Sequence, residues 1–343
     1  MVVQVHEAIV TAYGESQQRA VLQTSITIRR LWQELAGADL SGSWTRGLGQ
    51  AVVRAVSAGQ LLAAHTGQPY VDAMVAADGL QSDYETGATQ VAPRAFSGVA
   101  ADGRPLDSLL YLPVIRTKTL IQGGLTLQEA MLGGLAQLQN MVASEVAAAG
   151  SGAMGVAMVA NRTVTGYVRM VRAGACARCV ILAGRWYRYN ADFLRHRRCQ
   201  CYGTPATDAR PGRRQDPMSF FNSLSRAEQN RRFGIGGATA IREGGDIYQV
   251  VNASRSVVSL DSYGRKVVAT LEGTTRRGSF YQDMRREAEL KTGQRFARSA
   301  GDLERGLPRF QLRTPRLTPG EIYKLTKDRN ELIRLLRRFG YLL

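Results

Sequence analysis

Residues 176–201 read CARCVILAGRWYRYNADFLRHRRCQC, and they hold all four cysteines of the 343-residue chain together with His196, one of its three histidines. The spacing is Cys-x2-Cys, sixteen residues, then His-x2-Cys-x-Cys. Zinc explains such clustering. Zn²⁺ takes four thiolate or imidazole ligands in a tetrahedron, and Cys-x2-Cys lets one turn supply two of them. The candidate ligands are Cys176, Cys179, His196, Cys199 and Cys201. If residues 199–201 are extended, Cys199 and Cys201 share a face; if they turn, His196 and Cys199 converge, and the sequence leaves both open. Two disulfides, or four thiols buried as small apolar residues, are the competing explanations. A catalytic zinc is disfavoured, because such sites keep three protein ligands and an open water position. Here there are five candidate ligands, and Asp192 is the only carboxylate between Cys176 and Cys201. The expected ion is a structural Zn²⁺.

The same residues carry a family resemblance. Cys176, Cys179, Leu182, Gly184, Tyr187, His196, Cys199 and Cys201 resemble the core pattern of the Mu-F-like minor head (head morphogenesis) proteins of tailed bacteriophages. That pattern is Cys-x2-Cys, a short apolar run with Leu-x-Gly, an aromatic, then His-Pro-x-Cys-x-Cys. Arg197 departs from it where proline is usual, which leaves the turn after His196 less rigid. Residues 220–255, FFNSLSRAEQNRRFGIGGATAIREGGDIYQVVNASR, and residues 271–278, LEGTTRRG, resemble the segments that follow in actinobacteriophage members. The likeness spans roughly residues 160–280. It implies a low-copy virion component of the capsid interior, made in the host cytoplasm during assembly. The implied partners are the phage portal protein, the major capsid or scaffold protein, and packaged duplex DNA. The alternative it carries is a capsid maturation protease, a role assigned to some similar proteins.

Charge divides the chain. Residues 1–150 hold nine basic and twelve acidic residues, a net of −3, whereas residues 151–343 hold the other 36 basic and 16 acidic ones, a net of +20. A basic surface of that size attracts polyanions, and duplex DNA held through its backbone without sequence preference is the expected one. Arg195, Arg197 and Arg198 in the cysteine cluster, Arg210, Arg213 and Arg214 in the Pro- and Gly-rich stretch after it, and Arg276 and Arg277 in GTTRRG are the candidate contacts. The N-terminus lacks a basic n-region and meets Glu7 early, unlike a secretory signal. The most apolar window, residues 142–160, is Ala- and Gly-rich and broken by Glu145. No membrane span is expected there, only a tightly packed helix end and a small-residue turn.

Reading outward, Val21, Ile28, Leu31, Trp32 and Leu35 recur at helical spacing, so residues 3–36 are predicted as helix. Residues 47–66 make a second helix, and Pro69 opens a short third. Residues 79–107, broken by several glycines and prolines, read as a long surface loop. Thr126 and Glu129 form a capping box ahead of Leu127, Met131, Leu135, Leu138 and Val142, which predicts a helix over 127–148. Residues 161–173 suit helix or strand equally, and 202–217 read as a linker. Helices are expected at 225–233, over IGGATAIR, at 279–291 capped by Ser279, and at 319–339 capped by Thr318. Strands are expected at 247–252 and 266–271, and an extended run at 301–318. The predicted class is α+β: a helical half over 1–150, a cysteine-rich zinc-knuckle core over 151–215, and a basic α+β region over 216–343 ending in a helix.

No GxxxxGK[ST], GxSxG or HExxH occurs. No catalytic residue is assigned. His6 and His65 are isolated in sequence, and no histidine follows His196, which disfavours a nuclease- or toxin-like C-terminal domain.

Overall fold

The computed structural model describes residues 2–84, 91–171, 174–189, 191, 201–207, 215–262, 264–271, 279–311 and 315–342. The chain folds as two compact units, one built from residues 1–172 and 184–214, the other from 173–183 and 215–343. Both mix helices with a small sheet, so the class is α+β with a helical N-terminal half.

The first unit contains α1 (Val2–Gln33), α2 (Leu40–Ser43), α3 (Gly49–Ala64), α4 (Gly67–Ala77), α5 (Leu106–Gln122) and α6 (Leu127–Ala160). Its sheet is β1 (Gly166–Val171), β2 (Trp186–Arg188) and β3 (Cys201–Ala206). Helix α6 is the axis, packed by α1, α3, α4 and α5. Thr126 caps it: its side chain accepts from Glu129 N, and the Glu129 carboxylate returns to Thr126 N at 3.0 Å. Ile28, Trp32, Val56, Leu110, Leu138, Val142 and Val146 fill the core around it. The expected turn within residues 142–160 is absent, and α6 runs unbroken to Ala160. The small residues serve close packing instead. A Cβ on Gly150 would strike the amide of Gln17, so α1 lies against α6 there. By length and composition α6 is apolar enough to cross a membrane; here the four neighbouring helices bury Leu138, Val142, Val146 and Met154, while Leu132, Val156 and Val159 stay exposed.

Helix α5 carries Pro113 in its interior and was not picked out by periodicity. The described parts of the 79–107 loop are tied down rather than loose. Gln60, buried on α3, donates to Val99 O at 2.9 Å and accepts from Gly98 N at 2.9 Å. At the other end Ser82 donates to Asp72 Oδ1 at 2.6 Å and Tyr84 to the same oxygen at 2.5 Å. Burial, reinforced by that carboxylate, pushes the Tyr84 phenol up to about 12. His6 meets Asp78 at 2.8 Å, which joins the start of α1 to the end of α4.

The second unit contains α7 (Ala177–Val180), α8 (Pro217–Ser223), α9 (Arg226–Phe233), α10 (Ile235–Arg242), α11 (Ile247–Asn252), α12 (Ser279–Thr292), α13 (Ala300–Glu304), α14 (Pro319–Leu325) and α15 (Arg329–Arg338). Strands β4 (Val257–Ser262), β5 (Arg265–Thr270) and β6 (Arg316–Leu317) form its antiparallel sheet, with β5 in the middle. Helices α10 and α14 approach closely, because a Cβ on Gly236 would meet Gly320 Cα and Pro319 O. Phe221, Ile241, Ile322, Leu332 and Leu336 are fully buried or nearly so.

Four expectations are corrected here. Residues 247–252 are helix, not strand: Asp246 accepts from Tyr248 N and Gln249 N as an N-cap, and Ile247, Val250 and Val251 are buried at helical spacing. The final helix is two, since Asp328 begins a new one by accepting from Glu331 N. Residues 301–318 are not simply extended, because Ser299 and Asp302 form a capping box that starts α13. The supposed linker at 202–217 begins in β3 and ends at Pro217, the first residue of α8, and its residues 208–214 lie outside the described residues.

Among the described residues Arg316 is the largest fully buried side chain, 1 % exposed. Its guanidinium donates to Phe339 O at 2.6 Å and to Gln249 Oε1 at 3.2 Å, and lies 4.1 Å from the centre of the Tyr341 ring. Burial depresses its pKa. Arg316→Ala would strand the buried Phe339 carbonyl and the half-buried Gln249 amide oxygen and remove the cation–π contact, an expected loss of about 3–5 kcal/mol. Urea unfolding of the full chain checks this: the midpoint should fall with the slope unchanged.

Candidate metal centre and basic surface

Strand β1 is central in its sheet. It pairs antiparallel with β2 through Tyr167↔Tyr187 and with β3 through Arg169↔Gly203 and Val171↔Cys201. That register puts Arg169 and Cys201 diagonally across from each other on one face. Arg169 Nη2 donates to Cys201 Sγ at 3.2 Å, with the arginine 3 % and the cysteine 5 % exposed. The Cys201 sulfur thus accepts from a buried cation across the sheet. Sequence reasoning missed Arg169, since it lies 32 residues from Cys201 and only strand pairing brings the two together. Tyr70 Oη donates to Gly203 O at 3.1 Å, fixing β3 to α4.

Cys176 and Cys179 lie on α7, in the second unit. Cys176 is the N-cap with extended backbone, and Val180 N returns to its carbonyl at 3.1 Å. Cys179 is 1 % exposed, on a turn that packs against α8 and α11. The donor chemistry therefore suits zinc at this half: a half-buried and a buried cysteine at the two ends of one tight turn. His196 and Cys199 lie outside the described residues, and among the described residues no three His, Cys, Asp or Glu side chains gather as a metal group.

Of the predicted DNA contacts, Arg195, Arg197, Arg198, Arg210, Arg213, Arg214, Arg276 and Arg277 also lie outside the described residues. The described basic surface is elsewhere. On the edge strand β2 and its flanks, Arg185, Trp186, Arg188 and Tyr189 are exposed, and Arg185 lies 5.6 Å from the Tyr187 ring centre. On α15, Arg334, Arg337 and Arg338 are exposed while Leu332 and Leu336 point into the core.

The sequence model of the family described as VG15 protein matches residues 4–226, well over half of the chain. The chain belongs to the VG15 protein family. That family is phage-associated, so this is a phage protein of the virion. The VG15 match takes in α1 to α8 and all five candidate zinc ligands. No curated protein and no solved structure matches the chain.

Proposed function

We propose that the chain is a minor head protein of the Mu-F-like kind, seated at the portal inside the capsid. Its basic part meets packaged duplex DNA, its N-terminal helices meet the portal or the inner shell, and one structural zinc is held by Cys176, Cys179 and two of His196, Cys199 and Cys201. The observation that carries this reading is the division of charge within a phage protein: net −3 over residues 1–150 against +20 over 151–343. Protein partners suit the first value and a polyanion the second.

Mass spectrometry of purified heads and an asymmetric reconstruction of the portal vertex test it. The expected result is a few copies per head, inside the shell and beside the portal. A chain missing from finished heads sinks the proposal. Specific cleavage of the major capsid or scaffold protein by the purified chain would replace it with the maturation protease.

A further inference from the structure

The described part of the basic region holds a concave arginine surface apart from the arginines of the cysteine cluster, the stretch after it and GTTRRG. Helix α15 meets α12 along an open groove of about 590 Å³, lined among others by Asp283, Asn330, Ile333, Arg334, Arg337 and Arg338. Arg334, Arg337 and Arg338 stand at i, i+3 and i+4, so they share one face of the helix about one turn long. Leu332 and Leu336 anchor the opposite face in the core, which holds the arginine backbone rigid. The Arg334 side chain is 75 % exposed, and its ion pair with Glu331 is long, 3.8 Å; such a pair contributes little in water. Asp283 is the single carboxylate among the described lining residues, against three guanidinium groups.

We propose that this face binds the phosphodiester backbone of duplex DNA. A guanidinium fork matches two phosphate oxygens at once, and Asn330 adds an amide donor at the groove edge. No aromatic side chain lines the groove among the described residues, so it offers charge and hydrogen bonds without a stacking platform. Contacts of that kind follow the backbone and ignore sequence. An acidic protein segment is the other polyanion, but it offers single carboxylates on flexible stems, whereas a duplex presents phosphates in a fixed row suited to three guanidiniums on one rigid turn. The inference rests on the reading above that the basic part meets DNA.

The test measures binding of the full chain to a labelled mixed-sequence duplex over a range of salt concentrations. The variants are the triple Arg334→Gln, Arg337→Gln, Arg338→Gln and, as a control, Arg19→Gln, Arg29→Gln, Arg54→Gln on exposed positions of α1 and α3. The slope of log affinity against log salt should fall by about one for each phosphate-bound arginine, so by about three in the α15 triple and not in the control. Replacing the same three by lysine should restore most of the slope. If the glutamine triple fails to fold, Arg337→Gln alone should lower the slope by about one. A wild type that binds with an unchanged slope in the α15 triple overturns this proposal and leaves the DNA reading standing. A wild type that binds no duplex at low salt overturns both. Loss of binding to polyglutamate, with duplex binding intact, would assign the face to an acidic protein instead.

Discussion

Removing metal is expected to unfold the cysteine-bearing part of the chain, not merely to loosen it. Protein purified without chelator should contain about one zinc per molecule. A structural zinc site of this type contributes roughly 10–16 kcal/mol at neutral pH, as much as the whole stability of an ordinary domain, about 5–15 kcal/mol. The turn that carries Cys176 and Cys179 has little else to define it: α7 spans only Ala177–Val180. Cys179 is buried, so an unliganded thiol there would still pack, but the turn would lose the ion that fixes its geometry. Adding chelator should therefore lower the melting temperature sharply, and Cys179→Ser should do the same without chelator. Acid should release the ion, because each thiolate and any imidazole must lose a proton to bind it. Thiol titration gives the independent readout. With zinc bound, the thiols should react slowly; after stripping, four should titrate. Native protein with no zinc, and four free thiols that titrate once it is unfolded, would end the idea. The result would then favour the thiols as small apolar residues, which the burial of Cys179 and Cys201 also suits.

Many helix starts are legible, because their signals are local. Thr126 with Glu129, Ser225 with Glu228 and Thr318 with Glu321 each announce a helix start, and each of these side chains accepts the backbone N–H expected of a cap. Failures came where local and tertiary signals compete. IYQVVN is rich in β-branched residues, yet Asp246 one position earlier caps it as a helix. Strand β3 contains Gly203 and Pro205 and so reads as a loop; it forms because Tyr167 and Arg169 pair with those two residues from 30-odd positions away. Helix α6 runs through a Gly-rich stretch because α1 needs the space at Gly150, a reason that no local propensity expresses. The candidate site shows the same division. Spacing picks out the cysteines, while Arg169 beside Cys201 depends on sheet register. The place of the α15 arginines on a groove is likewise set by α12, about 50 residues upstream.

Duplex DNA binding by the full chain is expected to collapse over a narrow range of salt. Residues 151–343 carry 36 Lys and Arg against 16 Asp and Glu, and several of the arginines are already engaged. Arg329 pairs with Glu243 at 2.7 Å, Arg265 with Glu321 at 2.8 Å, and Arg316 is buried in the core. Such residues contribute to the long-range field but not to direct contacts. The exposed arginines on α15 and along β2 are the candidates for direct contact, and the expected footprint is about six to ten phosphates. Each phosphate neutralised releases condensed counterion, so affinity should drop by roughly 10³–10⁵ between about 50 and 200 mM salt. Base composition should not matter, because the described basic surfaces present arginines suited to phosphate; along β2 exposed aromatics interleave with them. Comparing mixed, A·T-rich and G·C-rich duplexes by fluorescence anisotropy at several salt concentrations decides the matter. Steep and equal slopes are the expected result. A shallow slope would mean that the positive charge mainly balances an acidic protein neighbour. A clear preference for single strands would move the contact to Trp186 and Tyr189 on the edge of the first sheet, where stacking rather than charge sets affinity. Trp186 offers a built-in probe for that outcome, since it is 44 % exposed while Trp32 and Trp44 are buried. Quenching of its fluorescence by single-stranded but not duplex DNA would locate the contact there.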